Sequence, residues 1–310
     1  MEWISSIYNY IYPTSRTGID YSIFNNILEI IPYNNEKIKD AIYNTEDPLI
    51  KTISKFCSKS NHKKFAISLS GGVDSMVLAS IIKYLGYDII ALHINYNNRK
   101  ETKCEQIFLE KWCHYNDIHL YVEEITDIKR DNTKRSFYEA ITKNVRFSFY
   151  REILEKEGLD YILLGHHKDD IVENVFANVC RSRFILDLAV IRERSTIQDI
   201  TICRPMIDYY KDVIYNFAHK YNIPYFKDTT PEWSVRGKYR NVIAPAIEDT
   251  FTQNVKDNLI ELGRQSDEWN ELVHKEIIQP FLDSVEYNDS SIRFNIEKWL
   301  KHPMCFWSLV

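Results

Sequence analysis

The run Ser70-Gly71-Gly72-Val73-Asp74-Ser75 constrains this chain more than any other stretch of its 310 residues. Phe65-Ala66-Ile67-Ser68-Leu69 before it is short and apolar, as a buried strand is. Met76-Val77-Leu78-Ala79-Ser80-Ile81-Ile82-Lys83-Tyr84-Leu85 after it has the composition and spacing of a helix. Two adjacent glycines let the backbone turn tightly and bring its N–H groups close to an anion. The following helix adds free N–H groups and the positive end of its dipole, and Ser70 and Ser75 add hydroxyls. Asp74 can hold a magnesium ion against phosphates. A Walker loop would carry a lysine before its Ser/Thr, and no Gly-Lys-Ser/Thr stands here. A cradle without that lysine suits a released pyrophosphate better than a transferred γ-phosphate. The plain alternative is a glycine-rich turn that binds nothing.

Around this turn the chain alternates strand and helix from residue 65 onward. Residues 87–94, 119–122 and 161–164 read as strands, and 104–115, 137–157, 176–186 and 211–221 as helices, with Gly158 as a stop. Such alternation implies a parallel sheet with helices on both faces, and ligands at the carboxyl ends of its strands. After about residue 245 the pattern is helical again, and the apolar tail Met304–Val310 is docked on something or continues into a longer protein. In residues 36–58 the recurring Ile38, Ala41, Ile42, Leu49, Ile50 and Ile53 predict helix, with no evident chemistry. The expected organisation is an extension over 1–60, a nucleotide domain over 61–228, and a linker with a helical C-terminal region over 229–310.

Composition narrows the class. With 45% hydrophobic and 27% charged residues the chain reads as a soluble globular protein. No stretch approaches the roughly 20 apolar residues of a membrane span, and no secretory signal is evident, so the expectation is cytoplasmic with no membrane partner. The cysteines at 57, 104, 113, 180, 203 and 305 form no C-x-x-C pair, which argues against a closed zinc site and a disulfide framework. A net charge of −5 is poor support for nucleic-acid binding taken over the whole chain. Local charge differs: Lys129, Arg130, Lys134, Arg135, Lys143, Arg146 and Arg151 fall close together, with Asp131 and Glu139 between them. Arg181 and Arg183, Arg192 and Arg194, then Arg236, Lys238 and Arg240 follow. These clusters could track a phosphate backbone, or be ordinary solvated helix faces.

After the fourth strand comes Gly165-His166-His167-Lys168-Asp169-Asp170, with Glu173 three residues on. Two histidines and two aspartates at a strand end suit magnesium binding or the orientation of a reacting base; hydrogen-bonded turn residues are the alternative. At this point the chain resembles the tRNA(Ile)-lysidine synthase family of PP-loop ATP pyrophosphatases. The resemblance rests on SGGVDS, on His93-Ile94-Asn95-Tyr96-Asn97-Asn98-Arg99, on GHHKDD with Glu173, and on Glu139–Phe147. Arg204-Pro205-Met206-Ile207 and Asp228-Thr229-Thr230 through Arg240-Asn241 complete it, over about residues 65 to 263. Departures stand at Tyr96, where the family usually has His, at Ile171 (Gln) and at Asn174 (Thr), and the last motif carries extra residues including Trp233. They touch the acceptor side more than the ATP side.

The resemblance implies a Rossmann-like PP-loop fold and a two-step reaction with ATP and Mg2+. The C2 oxygen of a wobble cytidine in a tRNA anticodon attacks the α-phosphate, pyrophosphate leaves, and the amine of free lysine displaces AMP. It assigns Ser70, Gly71, Gly72, Asp74, Ser75, His93, Gly165 and His166 to the nucleotide. Asp74 and Asp170 would hold the metal, and Arg146 would stabilise phosphate charge. Asp169, Glu173, Arg236, Lys238 and Arg240 would face the other substrates, with Glu173 or Asp169 receiving the lysine ammonium. Tyr96, Trp233 and Tyr239 could stack on the target base, or be packed aromatics. A thiolase of the same superfamily, a PP-loop protein that only binds tRNA, and an amide or amine transfer to a small molecule are the rival readings. The sequence leaves a homodimer open.

Overall fold

Strands whose successive residues are apolar on both faces belong in a sheet covered twice, and the computed structural model of this protein contains one. It describes residues 28–29, 38, 46–60, 62–98, 101–126, 128, 133–227, 230, 234–251, 254–288 and 290–310. Arg99, Lys129, Arg130, Asp131, Asp228, Thr229 and Trp233, like most of the N-terminal extension, lie outside the described residues. In chain order the elements are β1 (Leu28–Glu29), α1 (Pro48–Lys59), β2 (Lys64–Ser68), α2 (Val73–Tyr84), β3 (Asp88–Asn95), α3 (Glu101–Tyr115) and β4 (His119–Glu124). Then come α4 (Arg135–Glu157), β5 (Tyr161–Leu163), α5 (Lys168–Cys180), β6 (Arg194–Ile197), β7 (Ile200–Cys203), α6 (Lys211–Lys220) and β8 (Tyr225–Phe226). The last are α7 (Val235–Lys238), α8 (Ala244–Phe251), α9 (Val255–Val273), α10 (Gln279–Leu282), β9 (Glu286–Asn288), β10 (Ser291–Arg293) and α11 (Met304–Trp307). Two compact units result, Met1–Asp169 with Arg192–Gly237, and Asp170–Ile191 with Lys238–Val310.

In the first unit six strands form one sheet in the order β4-β3-β2-β5-β7-β6. All neighbours are parallel except β6, which runs antiparallel to β7. Side chains alternate between faces as strand geometry requires. Phe65, Ile67, Leu69, Ile89 and Ala91 join a core with Ile53 of α1, Met76 of α2, Phe108 of α3 and Phe217 of α6. Ala66, Ile90, Leu92, Ile162 and Ile202 face the other way, onto Phe147, Tyr150 and Leu154 of α4. Helix α2 is buried nearly all round, as a helix apolar on every side must be. Gly158 ends α4 in the left-handed region at φ 63°, its N–H donating to the Leu154 and Glu155 carbonyls.

The expected parallel sheet is thus present with an antiparallel edge strand that the sequence did not announce. The β6–β7 turn is Gln198-Asp199, with φ of 50° and 64°. Two positive φ values suit a two-residue hairpin, which Asn-Gly usually signals; Gln-Asp does not. Helix α5 starts at Lys168, not at 176, because the polar run Lys168-Asp169-Asp170 hides the amphipathic pattern of its first turns. All six cysteines are free thiols; Cys57, Cys104, Cys113 and Cys203 are buried and Cys180 and Cys305 exposed. Burial pushes the Cys57 and Cys113 thiols up to about 12. Among the described residues no helix is long and apolar enough to cross a membrane.

In the second unit Ser266 of α9 donates to the Ile185 carbonyl at 2.7 Å and accepts the Leu188 N–H at 3.0 Å. Gly263, one turn earlier, allows the close approach: a Cβ there would meet Val175 Cγ2 at 3.0 Å. Of the apolar tail, Phe306 is buried, while Met304, Leu309 and Val310 are exposed. Phe306 stacks on Trp299 with centroids 5.7 Å apart, and Phe281 meets Phe294, Trp299 and Phe306 edge-on at 5.3 to 5.4 Å. Phe281→Ala removes the centre of this cluster and is expected to destabilise the unit by about 3–5 kcal/mol. Urea unfolding followed by tryptophan fluorescence checks it, with an early transition as the expected result.

Candidate functional site

The segments after β2, β3, β5 and β7 emerge at one edge of the sheet, since these strands are parallel. SGGVDS follows β2, and its conformation is held by its own serines. Ser75 Oγ donates to the Gly72 carbonyl at 3.0 Å and accepts the Ser70 N–H at 3.2 Å, while Ser70 Oγ lies 3.1 Å from Ser75 Oγ. The Gly72 N–H donates to Ser70 Oγ at 3.3 Å. Gly71 has φ 84°, and a Cβ there would meet the Phe226 ring at 3.0 Å. The Phe226 N–H donates to the Gly71 carbonyl at 2.8 Å, so β8 backs the loop. The Ser75 hydroxyl is therefore engaged within the loop, and Ser70 is the exposed one. Gly72 precedes α2 in extended conformation with no side-chain cap, which leaves the helix N-terminus suited to an anion.

Asp74, in the first turn of α2, is the centre of the charged groups. Its Oδ1 is shut off from solvent and accepts no hydrogen bond. Its Oδ2 accepts from Lys211 Nζ at 3.3 Å. His167 is buried, with Nε2 3.6 Å from Asp74 Oδ1 and Nδ1 3.5 Å from Asp169 Oδ2, inside ion-pair reach but beyond a good hydrogen bond. Asp169 Oδ2 accepts the Lys211 N–H at 2.8 Å, an acid at the start of α6. That contact sets the helix end from which Lys211 reaches Asp74. Gly165 lies directly against the loop: a Cβ there would be 2.9 Å from the Asp74 carbonyl carbon and 3.0 Å from Ser75 N. His166, half-buried, accepts at Nδ1 from Arg204 Nε at 2.9 Å.

His93 is buried beneath the loop, its Nδ1 2.9 Å from the Leu69 carbonyl. A carbonyl only accepts, so Nδ1 carries the proton and Nε2 is left as a buried acceptor with no partner. Burial lowers its pKa, and the Leu69 hydrogen bond and the Glu110 charge oppose this less strongly. The folded state therefore keeps His93 neutral where the unfolded chain protonates. Stability from this residue is full above about pH 6.5 and falls below it, by up to about 1.4 kcal/mol per pH unit. Unfolding free energies between pH 7 and 5 are expected to fall less steeply in His93→Asn than in the wild type.

On the other face of the sheet Tyr150 donates to, or accepts from, Ser68 Oγ at 2.7 Å, which ties α4 to the last residue of β2. Arg146, one turn earlier on α4, is close enough to Tyr150 for its charge to act on the phenol. Tyr96 is half-buried after β3.

The second unit holds a separate constellation. Arg240 Nε donates to Glu173 Oε2 at 3.0 Å, and its Nη2 lies 3.5 Å from Asp170 Oδ1. One guanidinium thus compensates two carboxylates on the same face of α5, which are otherwise costly to bury together. Tyr239 is buried against Phe176, centroids 5.1 Å apart, the packed state of that aromatic. Arg236 in the first unit and Lys238 in the second are exposed.

Sequence reasoning missed Lys211 and the engagement of Arg204. The loop has no lysine of its own, and the structure supplies one from 137 residues away. The only local signal was the position of Lys211 at the start of a predicted helix. The residues also fit a divalent cation: the unpartnered carboxylate oxygen of Asp74 is the hard donor such an ion takes. Among the described residues no group of three or more His, Cys, Asp or Glu could hold a metal. A magnesium ion here would complete its shell with substrate phosphates and water, as this ion commonly does.

This chain is similar to proteins of known name over much of its length. The tRNA(Ile)-lysidine synthase of Chlamydia felis is 28% identical over 247 residues, covering 79% of this chain and 77% of that protein. That of Streptococcus agalactiae is 30% identical over 212 residues, covering 66% of this chain and 46% of that protein. The chain therefore spans under half the length of the streptococcal relative. Among solved structures, the U34-tRNA thiolase NcsA from Methanococcus maripaludis, with its [4Fe-4S] cluster, superposes with TM-score 0.57 at 19% identity. It covers 75% of this chain and 80% of its own, which speaks for the fold alone. The PP-loop domain family matches residues 45–247, the stretch that contains the loop, the two-histidine turn and Lys211. With the lysine-free SGGVDS turn at the head of a buried helix and a match over most of its length, this chain belongs to the PP-loop domain family.

Proposed function

We propose that this protein is an ATP-dependent tRNA-modifying ligase that makes lysidine. The observation that carries the reading is Asp74: a buried carboxylate oxygen without a hydrogen-bond donor, at the N-terminus of α2, beside Lys211 and His167. This is a site prepared for phosphate and its cation, not for a bare turn. Relatives named tRNA(Ile)-lysidine synthase support the choice of acceptor.

In the first step the C2 oxygen of a wobble cytidine attacks the α-phosphorus of ATP. The α–β phosphoanhydride bond breaks and pyrophosphate leaves with the electron pair. The free N–H groups at the head of α2 and the Ser70 hydroxyl would bind the departing phosphates. Lys211 would exchange Asp74 for pyrophosphate oxygen when the nucleotide enters, the task a Walker lysine has from within its loop. Asp74 would hold a magnesium ion, which would neutralise charge on the phosphates. Arg146 would meet charge on the α-phosphate.

In the second step the amine of lysine, deprotonated at Glu173 or Asp169, adds to C2. The C2–O bond breaks and AMP leaves with the oxygen, a far better leaving group than oxide. Arg236, Lys238 and Arg240 would face the RNA backbone, whose contacts are electrostatic and salt-dependent. The thiolase reading finds less support: the chain has no paired cysteines, and burial holds Cys57 and Cys113 as thiols.

The test incubates the purified protein with labelled ATP, lysine and bulk tRNA. AMP and pyrophosphate released only with tRNA, with lysine incorporated, is the expected result. AMP without lysine incorporation would replace the nucleophile and keep the adenylation. No AMP with any acceptor would leave only a binding role.

A further inference from the structure

Arg204 begins the Arg-Pro-Met-Ile stretch that the proposed chemistry does not use, yet it is buried, at 3% exposure. A buried guanidinium is costly unless its N–H groups are directed at acceptors. Nη1 donates to the Arg192 carbonyl at 2.6 Å and to Ser195 Oγ at 2.9 Å, which fastens the group to the β6 edge. The Arg204 N–H donates to the Glu193 carbonyl at 2.8 Å, fixing the backbone as well. Nε then points at His166 Nδ1, 2.9 Å away.

A guanidinium has donors only and does not lose its proton. Nδ1 of His166 is therefore the lone-pair nitrogen, and the ring proton sits on Nε2. Protonating the ring would set one N–H against another and one cation against another. Of the charged groups on this turn, Asp169 is engaged by the start of α6. His166, partly exposed, directly follows Gly165, whose backbone lies against Asp74 and Ser75, so its own backbone adjoins the phosphate loop.

We infer that Arg204 is a positioning residue that locks His166 as a neutral Nε2–H donor to the phosphate chain of the bound nucleotide. The inference rests on the nucleotide reading of this site. A histidine free to change tautomer or charge would offer that donor only part of the time. One held from behind by an anchored guanidinium offers it in one direction without reorganisation, the condition under which a hydrogen bond to developing charge is most effective.

The first measurement reads the wild-type protein directly. In the 15N-labelled full-length protein, a coupling across the hydrogen bond between Arg204 Nε and His166 Nδ1 is expected, with Nε2 protonated and His166→Ala as the assignment control. No coupling together with a protonated Nδ1 would overturn the lock. Adding α,β-methylene-ATP with magnesium should shift the His166 Nε2–H signal; an unmoved signal would overturn its role toward phosphate.

Kinetics of AMP release then separate positioning from packing. Arg204→Gln and His166→Ala are each expected to lower kcat by about 10–100-fold, and the double variant to be no worse than His166→Ala. Losses that multiply would mean that Arg204 acts elsewhere than through His166, and would sink the inference. Should Arg204→Gln fail to fold, the wild-type coupling decides. A protein that releases no AMP with any acceptor would defeat the proposed reaction, while the coupling and the nucleotide titration still decide the lock.

Discussion

Asp74→Asn is expected to lower ATP-dependent AMP release by about 10³-fold and to leave the fold intact. Asparagine matches aspartate in shape, and the Oδ1 position accepts no hydrogen bond that the exchange would break. What disappears is the negative charge that would hold a cation on the phosphates, an interaction of several kcal/mol at the transition state. Lys211 loses its carboxylate partner but is 23% exposed and remains partly solvated. The stability change should stay within about 1 kcal/mol, or a few degrees of melting temperature. Labelled-ATP turnover together with a thermal melt checks both halves. A variant that still turns over at near wild-type rate would move the cation and the leaving phosphates away from α2.

Gly165→Ala is expected to have the second largest effect, by a different route. The added methyl would stand 2.9 Å from the Asp74 carbonyl carbon, 3.0 Å from Ser75 N and 3.1 Å from Asp74 Cβ. These are backbone and near-backbone atoms, so no flexible side chain can yield. Either the end of β5 or the head of α2 must shift, at a cost of about 1–3 kcal/mol. Because the loop's N–H groups move with α2, ATP affinity should fall at least about tenfold. Calorimetric titration with ATP and urea unfolding measure the two effects. Gly86→Ala is the control: nothing lies within 4 Å of its Cβ position, yet its φ is 87°. It should lose about 1 kcal/mol from backbone strain alone and bind ATP as the wild type does. Equal affinity in both variants would show that the approach of Gly165 to the loop is not what shapes the nucleotide site.

Much of the first unit was legible in the sequence because its signals are local. β2, β3, β4 and β5 are short apolar runs bounded by polar or turn residues. Glycine ends α4, and SGGVDS marks a strand-to-helix turn within six residues. The elements that escaped are those whose local pattern is overwritten. The start of α5 carries Lys168, Asp169 and Asp170, polar residues kept for contacts outside the helix, so its first turns do not look amphipathic. The β6–β7 hairpin turns on Gln198-Asp199, which take positive φ without the residues that usually advertise it. The same limit applied to the site. Asp74, His166, His167 and Asp169 stand out as chemical residue types in motifs, whereas Lys211 is one lysine among many on a helix end.

By itself, then, the sequence determined the α/β class, the phosphate loop and its missing lysine, since each depends on the order of neighbouring residues. Only the tertiary structure decided what surrounds Asp74. Lys211 reaches it because the sheet order sets β2, β5 and β7 side by side, and because Asp169 holds the start of α6. Arg204 meets His166 because β5 and β7 are hydrogen-bonded neighbours that run parallel and end at one edge. Backbone conformation is set largely within a few residues, while the partners of a charge are set by which distant segments the core brings alongside.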